Sequence, residues 1–200
     1  ICKALCYMHA QLPCVVHGDL KPDNVLLEQP SAHPKLIDFG LSRRVKLGAR
    51  AMGGSPRYSA PEVFSGAPPS PKADMFSFGR LAFQVMTLSR PCEGLPARLF
   101  STLATNGKVP DLGWPESPGV LQAECQELCE RCLAFHPFER PDAQDVLTDL
   151  LNWQMRSPSG QPAPSWAAPQ QSNMLTLAWS LKAIRGETPI PDPRRQVLAL

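Results

Sequence analysis

One segment constrains the fold of this 200-residue chain more than any other, because apolar side chains cover nearly its whole circumference. It runs from Asp74 to Leu88, and its apolar residues are Phe76, Phe78, Leu81, Phe83, Val85 and Met86. A helix that is apolar all round must be surrounded by other elements. The sequence therefore predicts a domain built around a buried central helix.

Shorter patterns predict the surrounding elements. Helical spacing of apolar residues predicts further helices over residues 1–11, 97–105, 120–135 and 142–153. Short apolar runs between turn residues predict brief strands at 14–16, 25–27 and 35–37. The basic stretch 40–59 has no clear period and is predicted to be a loop, and Asp142 is expected to cap the last helix.

The composition indicates which classes of binding partner to expect. With 43% hydrophobic and 19% charged residues the chain is typical of a globular domain, and its formal net charge is only +2. Such a balance predicts neither nucleic-acid binding nor membrane contact by this segment. No apolar run approaches the roughly 18 residues of a membrane-spanning helix. Because the first helix lacks a start signal and the first residue is Ile1, we expect the chain to be a fragment.

Seven cysteines, an odd number at irregular spacing, favour reduced thiols and a cytoplasmic setting. Cys125, Cys129 and Cys132 match the spacing of an iron–sulfur cluster motif, C-x3-C-x2-C. They also share one face of a predicted helix with Leu121 and Leu128, where free cysteine behaves as a small hydrophobic residue. We favour the second interpretation.

The composition shifts near residue 154. Residues 154–172 are rich in proline and are predicted to be a linker. Residues 173–200 form a C-terminal tail, in which 173–186 has the spacing of a short amphipathic helix. We expect that helix to dock on the domain rather than to bind a partner.

Three polar segments in the first third of the chain carry chemistry. The first is His17-Gly-Asp-Leu-Lys-Pro-Asp-Asn24, which lies between two predicted strands. The second is Asp38-Phe39-Gly40, directly after a strand, where an acidic side chain commonly binds a metal ion. The third is Gly54-Ser-Pro-Arg-Tyr-Ser-Ala-Pro-Glu62. Each is weak alone, but their order and spacing together are far from random.

Taken together, these segments resemble the C-terminal lobe of eukaryotic protein kinases. They are similar to that family's catalytic loop H-R-D-L-x-x-x-N, its D-F-G and its A-P-E segment. The similarity continues through Asp74-Met-Phe-Ser-Phe-Gly79 and through Cys132-Leu-Ala-Phe-His-Pro-Phe-Glu-Arg-Pro141. The resemblance implies an α+β, protein-kinase-like fold over residues 1–153: a mainly helical C-lobe with short strands and no N-lobe.

The resemblance implies a serine/threonine kinase that uses ATP and Mg²⁺ and acts on protein substrates, most like the tyrosine-kinase-like branch. Asp19 would accept the proton of the substrate hydroxyl, and Lys21 would lie near the transferred phosphoryl group. Asn24 and Asp38 would bind Mg²⁺ and, with Lys21, the nucleotide phosphates. Ser55 and Tyr58 would belong to the activation segment and contact substrate. Architectural roles are expected for His17, Phe39, Gly40, Glu62, Asp74 and Arg140, with Asp74 bonded to the catalytic loop and Glu62 paired with Arg140.

The sequence departs from the family in two places. Gly18 replaces the arginine of H-R-D, which in the family helps to hold a phosphorylated activation loop, so we expect a different form of gating. The glycine loop, the V-A-I-K-type lysine and the glutamate of the control helix do not occur in these residues. Two alternatives therefore stay open: a pseudokinase that acts as a binding scaffold, and an interaction module whose functional part is the proline-rich tail.

Overall fold

A computed structural model of the chain describes residues 1–44, 55–68, 70–116 and 121–154. Its six helices are α1 (Cys2–His9), α2 (Pro61–Phe64), α3 (Pro71–Thr87), α4 (Ala97–Thr105), α5 (Gln122–Cys132) and α6 (Ala143–Gln154). Its strands are β1 (Val15–Val16), β2 (Val25–Glu28), β3 (His33–Leu36) and β4 (Arg43–Arg44). Short 3₁₀ turns cover Pro22–Asn24, Phe39–Leu41 and Pro137–Glu139. The predicted linker and the predicted tail helix lie outside the described residues.

The strands form two small antiparallel sheets. β2 and β3 pair as a hairpin, with Val25 opposite Leu36 and Glu28 opposite His33. β1 pairs with β4, with Val16 opposite Arg43. The prediction of a plain loop over 40–59 was therefore wrong at its start, because β4 forms only through pairing with a distant strand. Residues 45–54 of that predicted loop lie outside the described residues.

Helix α3 is the buried centre of the domain, as predicted. Met75 and Phe78 pack in one core cluster with Leu5 of α1, Leu128 of α5 and Val146 of α6. Other side chains of α3 pack in a second cluster with α5; the buried members of that cluster are Ala60, Phe76, Phe83, Cys125, Cys129 and Leu133. Because α3 contributes to both clusters, its apolar residues are buried on more than one side.

The ends of α3 follow from local chemistry. The Ser70 hydroxyl accepts a hydrogen bond from the N–H of Ala73 at 3.2 Å, and Pro71 occupies the first turn. These two signals start the helix three residues before the predicted Asp74. Leu88 ends the helix with a left-handed backbone, φ 60°, and its N–H donates to the carbonyl of Gln84.

The other helices lie close to their predicted positions. α4 spans the predicted residues, and α5 and α6 differ from prediction by one to three residues at their ends. α5 ends before the predicted Phe135 because Pro137 requires an extended backbone at His136, where φ is −82° and ψ is 126°. At the start of α6 the Asp145 carboxylate accepts the N–H of Asp142 at 3.1 Å, while the Asp142 carboxylate pairs with Lys72 at 2.7 Å.

The three cysteines of α5 are buried and face α3, as the helical spacing predicts. The Cys129 thiol lies 3.3 Å from the carbonyl oxygen of Gly79 on α3. Cys125 and Cys132 are buried beside it. All seven cysteines of the chain are free thiols. No helix in the described parts of the chain combines the length and apolarity needed to cross a bilayer.

The contact between α3 and α5 predicts an unusual response to a glycine substitution. A Cβ atom on Gly79 would lie 2.8 Å from the Cβ of Cys132 and 3.3 Å from Cγ of Leu133. Ala normally stabilises a helix interior relative to Gly. We expect Gly79→Ala instead to lower the free energy of unfolding by about 1–3 kcal/mol through overpacking. Urea unfolding measures this free energy, and Ser101→Ala, at an exposed position of α4, is the control. A Gly79→Ala variant that is more stable than the unaltered chain would contradict this packing.

Candidate active site

The turn around Asp19 is fixed to the core by Asp74. One carboxylate oxygen of Asp74 accepts the backbone N–H of His17 at 2.7 Å, and the other accepts that of Gly18 at 2.9 Å. His9 adds a contact that the sequence did not predict, from its Nε2 to the Asp74 carboxylate at 3.0 Å. Because Asp74 is buried on α3, the turn is held in one position relative to the most buried helix.

His17 joins this turn to the segment that precedes Asp38. Its ring is fully buried, and its Nε2 lies 3.2 Å from the carbonyl oxygen of Ile37. Its Nδ1 accepts the backbone N–H of Asp19 at 3.3 Å. Nε2 must therefore carry the proton, since Ile37 offers only an acceptor. The ring centre also lies 5.4 Å from that of Phe39.

Three polar residues converge around the Asp19 carboxylate. Lys21 Nζ lies 2.6 Å from Oδ2 of Asp19 and 2.9 Å from the hydroxyl oxygen of Ser55. The amide of Asn24 donates to the backbone carbonyl of Asp19 at 2.7 Å and to Oδ2 at 3.2 Å. The N–H of Ser55 donates to Oδ1 at 3.0 Å. The structure thus brings together three residues predicted from the catalytic loop and one predicted from the activation segment.

The environment of Asp19 stabilises its charged form. Partial burial alone would raise the pKa of this carboxyl group. The hydrogen bond and charge of Lys21, together with the hydrogen bonds from Ser55, outweigh burial and lower the pKa below its usual value. Asp19 is consequently an ionised hydrogen-bond acceptor near neutral pH.

Asp38 lies at the end of the β2–β3 hairpin, next to the turn around Asp19. The N–H of the preceding residue, Ile37, donates to the carbonyl of Asn24 at 2.9 Å. This hydrogen bond brings the backbone at Asn24 close to that of Asp38 in space. Asp38 has a left-handed backbone, φ 59°, and its Oδ1 accepts the N–H of Gly40 at 3.1 Å. Its side chain is exposed, and Phe39 beside it is 53% exposed.

Tyr58 lies below the surface of the activation segment. Its hydroxyl donates to the side-chain carbonyl of Gln84, and its backbone carbonyl accepts the hydroxyl of Ser77 at 2.8 Å. Burial, with a smaller contribution from nearby Asp23, raises the pKa of Tyr58 to about 12. We predicted substrate contact for both Ser55 and Tyr58. The buried side chain of Tyr58 faces α3, so its contacts are those of a residue that supports the segment.

Glu62 and Arg140 form the predicted ion pair. Nη1 and Nη2 of Arg140 donate to the two carboxylate oxygens of Glu62 at 2.7 and 2.8 Å. The remaining guanidinium N–H groups donate to the carbonyl oxygens of Ala134, Lys72 and Phe135 at 2.8, 3.0 and 2.9 Å. Every donor of this buried side chain is therefore used. The pair connects the end of the activation segment to the turn that precedes α6.

Gly18 has a backbone that suits glycine. Its φ is +80°, and a Cβ atom at this position would lie 3.0 Å from the carbonyl oxygen of Leu41. Residues other than glycine rarely adopt such a conformation. Where the family has an arginine, this chain therefore has a glycine, and the backbone of that glycine lies close to the backbone of Leu41.

Removal of one partner of the Glu62–Arg140 pair is expected to destabilise the fold strongly. Arg140→Ala would leave a partly buried carboxylate and three carbonyl groups without their donors. We expect a loss of about 3–5 kcal/mol in the free energy of unfolding. The matched control is Lys35→Ala, which breaks the exposed Lys35–Glu28 pair and should barely move the urea midpoint. Equal effects of the two variants would contradict the burial described above.

The pKa of Asp19 provides a second test of the geometry. The folded pKa lies below the ordinary value of 3.8, so Asp19 stabilises the fold above that value. This contribution is lost as the pH falls through the folded pKa. We expect carboxyl NMR of Asp19 to give a midpoint below 3.8, and Lys21→Met to raise it. A midpoint unchanged by Lys21→Met would show that Lys21 does not stabilise the carboxylate.

Comparison with known proteins agrees with this geometry. Residues 1–151 match the protein kinase domain. The serine/threonine-protein kinase CTR1 of Arabidopsis thaliana is 31% identical over 76% of this chain and 18% of its own length. Receptor-interacting serine/threonine-protein kinase 3 of Homo sapiens is 35% identical over 70% of the chain and 29% of its own length.

Serine/threonine-protein kinase nekl-2 of Caenorhabditis elegans is 35% identical over 74% of the chain and 40% of its own length. The chain thus spans between 18% and 40% of the length of these relatives. Its match to the kinase domain covers nearly all the residues that the structure describes. The chain belongs to the protein kinase family.

Proposed function

We propose that this chain carries the catalytic residues of a protein serine/threonine kinase, which transfers the γ-phosphoryl group of ATP to a protein hydroxyl. One observation supports this most strongly: Lys21, Asn24 and Ser55 converge on the Asp19 carboxylate. Phosphoryl transfer needs a positioned acceptor oxygen and neutralisation of the developing charge, and little covalent chemistry from the protein. A positioned carboxylate beside an ammonium group supplies both.

Asp19 is suited to orient the substrate hydroxyl and to receive its proton. Asn24 donates to its backbone carbonyl and to Oδ2, and Ser55 donates to Oδ1, so the carboxylate cannot rotate freely. Its lowered pKa makes it a weak base. It would therefore orient the hydroxyl at first and take the proton only as the oxygen becomes acidic, late in the transfer.

Lys21 is suited to neutralise charge on the transferred group. Its ammonium is a compact charge with three rotatable donors, two of which contact Asp19 and Ser55. The third donor is available to a phosphoryl oxygen at the same place. The contact with the Ser55 hydroxyl connects the catalytic loop to the activation segment, and it supports serine/threonine specificity.

The donor set near Asn24 and Asp38 fits Mg²⁺. Asn24 uses its amide nitrogen toward Asp19, which leaves its carbonyl oxygen for a cation, and Asp38 has one carboxylate oxygen beyond that bonded to Gly40. Amide and carboxylate oxygens are ligands that Mg²⁺ accepts together with phosphate oxygens and water. When bound, the ion would neutralise nucleotide phosphate charge. The cytoplasmic setting and the absence of nucleic-acid partners stay predictions from the sequence.

A phosphate-transfer assay on the full-length gene product tests this proposal. We expect Asp19→Ala to lower the transfer rate by roughly 10²–10⁴-fold, the usual contribution of a positioned acid or base. Asp23→Asn is the matched control, because Asp23 is an exposed carboxylate in the same turn and should leave the rate within about twofold. Transfer that is indifferent to Asp19→Ala, or absent from the unaltered protein, would contradict the proposal and favour the scaffold alternative.

A further inference from the structure

A second polar cluster lies around Arg80, further along α3 than Asp74. The Arg80 side chain is only 1% exposed, and its guanidinium carbon lies 5.3 Å from the centre of the Phe76 ring. Its Nη1 donates to the sulfur of Cys92. Its Nε has no hydrogen-bond partner, and no carboxylate pairs with it, within the residues that the structure describes. A buried, incompletely bonded guanidinium therefore points at a cysteine sulfur.

Burial of this charge requires an explanation. Burial lowers the pKa of Arg80, and the nearby Cys92 opposes that effect. Guanidinium groups nevertheless keep their proton in proteins, so the charge must be balanced locally. Within the described residues, the acceptor placed against this charge is the sulfur of Cys92.

The other groups around the Cys92 sulfur are weaker hydrogen-bond partners. The carbonyl oxygens of Pro110 and Asp111 lie 3.8 and 3.5 Å from the sulfur, distances typical of weak thiol hydrogen bonds. Arg57, from the activation segment, donates to the carbonyls of Pro91 and Cys92 and adds a second positive charge nearby. Two guanidinium groups thus face the Pro91–Cys92 segment from two different elements.

We propose that Cys92, held against the buried Arg80 guanidinium, is the site of this chain that small oxidants and electrophiles modify first, because that charge stabilises the thiolate as it attacks. With hydrogen peroxide, the sulfur attacks one peroxide oxygen, an S–O bond forms and the O–O bond breaks. The sulfur is oxidised by two electrons to a sulfenic acid. The hydroxide that leaves takes a proton from solvent and becomes water.

Modification at this position would reach the activation segment. A sulfenic acid places an oxygen atom beside Arg80 and enlarges the buried side chain. The carbonyl groups of Pro91 and Cys92, which Arg57 binds, would have to move. Arg57 lies two residues after Ser55, whose N–H bonds Asp19. The assignment of Cys92 itself does not depend on the proposed phosphotransfer.

Site-resolved trapping of sulfenic acid in the native full chain tests the proposal. The chain is treated with a substoichiometric amount of hydrogen peroxide in the presence of dimedone at pH 7, and labelled peptides are quantified by mass spectrometry. Cys6 and Cys14 are the comparison sites, because both are more exposed than Cys92. Because the Arg80 guanidinium stabilises the attacking thiolate, we expect Cys92 to be labelled roughly tenfold faster. Preferential labelling of Cys6 or Cys14 would overturn the proposal.

Two variants separate charge from shape. Arg80→Met keeps a long side chain on Phe76 but removes the charge, and it should abolish the roughly tenfold preference for Cys92. Arg80→Lys keeps a positive charge and should retain most of it. If Arg80→Met fails to fold, the unaltered chain unfolded in urea replaces it, and the preference should vanish there. A preference for Cys92 that survives the loss of the charge, or that persists in urea, would overturn the assignment.

Discussion

The candidate active site depends on one buried carboxylate, Asp74. It lies on α3, the helix whose side chains contribute to both core clusters, and it accepts the N–H groups of His17 and Gly18. A buried carboxylate without hydrogen bonds would be very unfavourable, and these donors together with His9 supply the hydrogen bonds of Asp74. The position of the catalytic turn follows from the same packing that holds the core together.

Four carboxylates of this domain have different environments, and the environments separate their roles. Asp74 is buried and bonds only donors that hold structure, and Glu62 is saturated by Arg140. Asp19 is half-buried, and the Lys21 ammonium stabilises its charge. Asp38 is exposed, with one oxygen beyond its bond to Gly40. Of these four, Asp19 and Asp38 are the two that we propose to meet substrate or a cation.

The sequence predicted those parts of the structure that local chemistry determines. The apolar circumference of α3 is one such part. The Asp74 contact to the turn around Asp19 and the Glu62–Arg140 pair join positions distant in sequence and were predicted from the family resemblance instead. The β1–β4 pairing and the His9 contact are also distant in sequence, and no quoted motif signalled them. The burial of Tyr58 is decided by its tertiary contacts with Ser77 and Gln84, which the sequence did not indicate. The roles of the site residues in catalysis stay predictions.

The segment from Ser55 to Glu62 connects these features physically. Its first residue bonds Asp19, its middle is held by the contacts of Tyr58 with α3, and its last residue binds Arg140. Arg57 adds a contact to the Pro91–Cys92 segment. Because this short segment is fixed at so many points, a displacement at any of them must be absorbed by the others. Events at Arg140 or Cys92 can thereby alter the orientation of the Asp19 carboxylate without touching it, and the low pKa of Asp19 depends on the same Ser55 and Lys21 contacts.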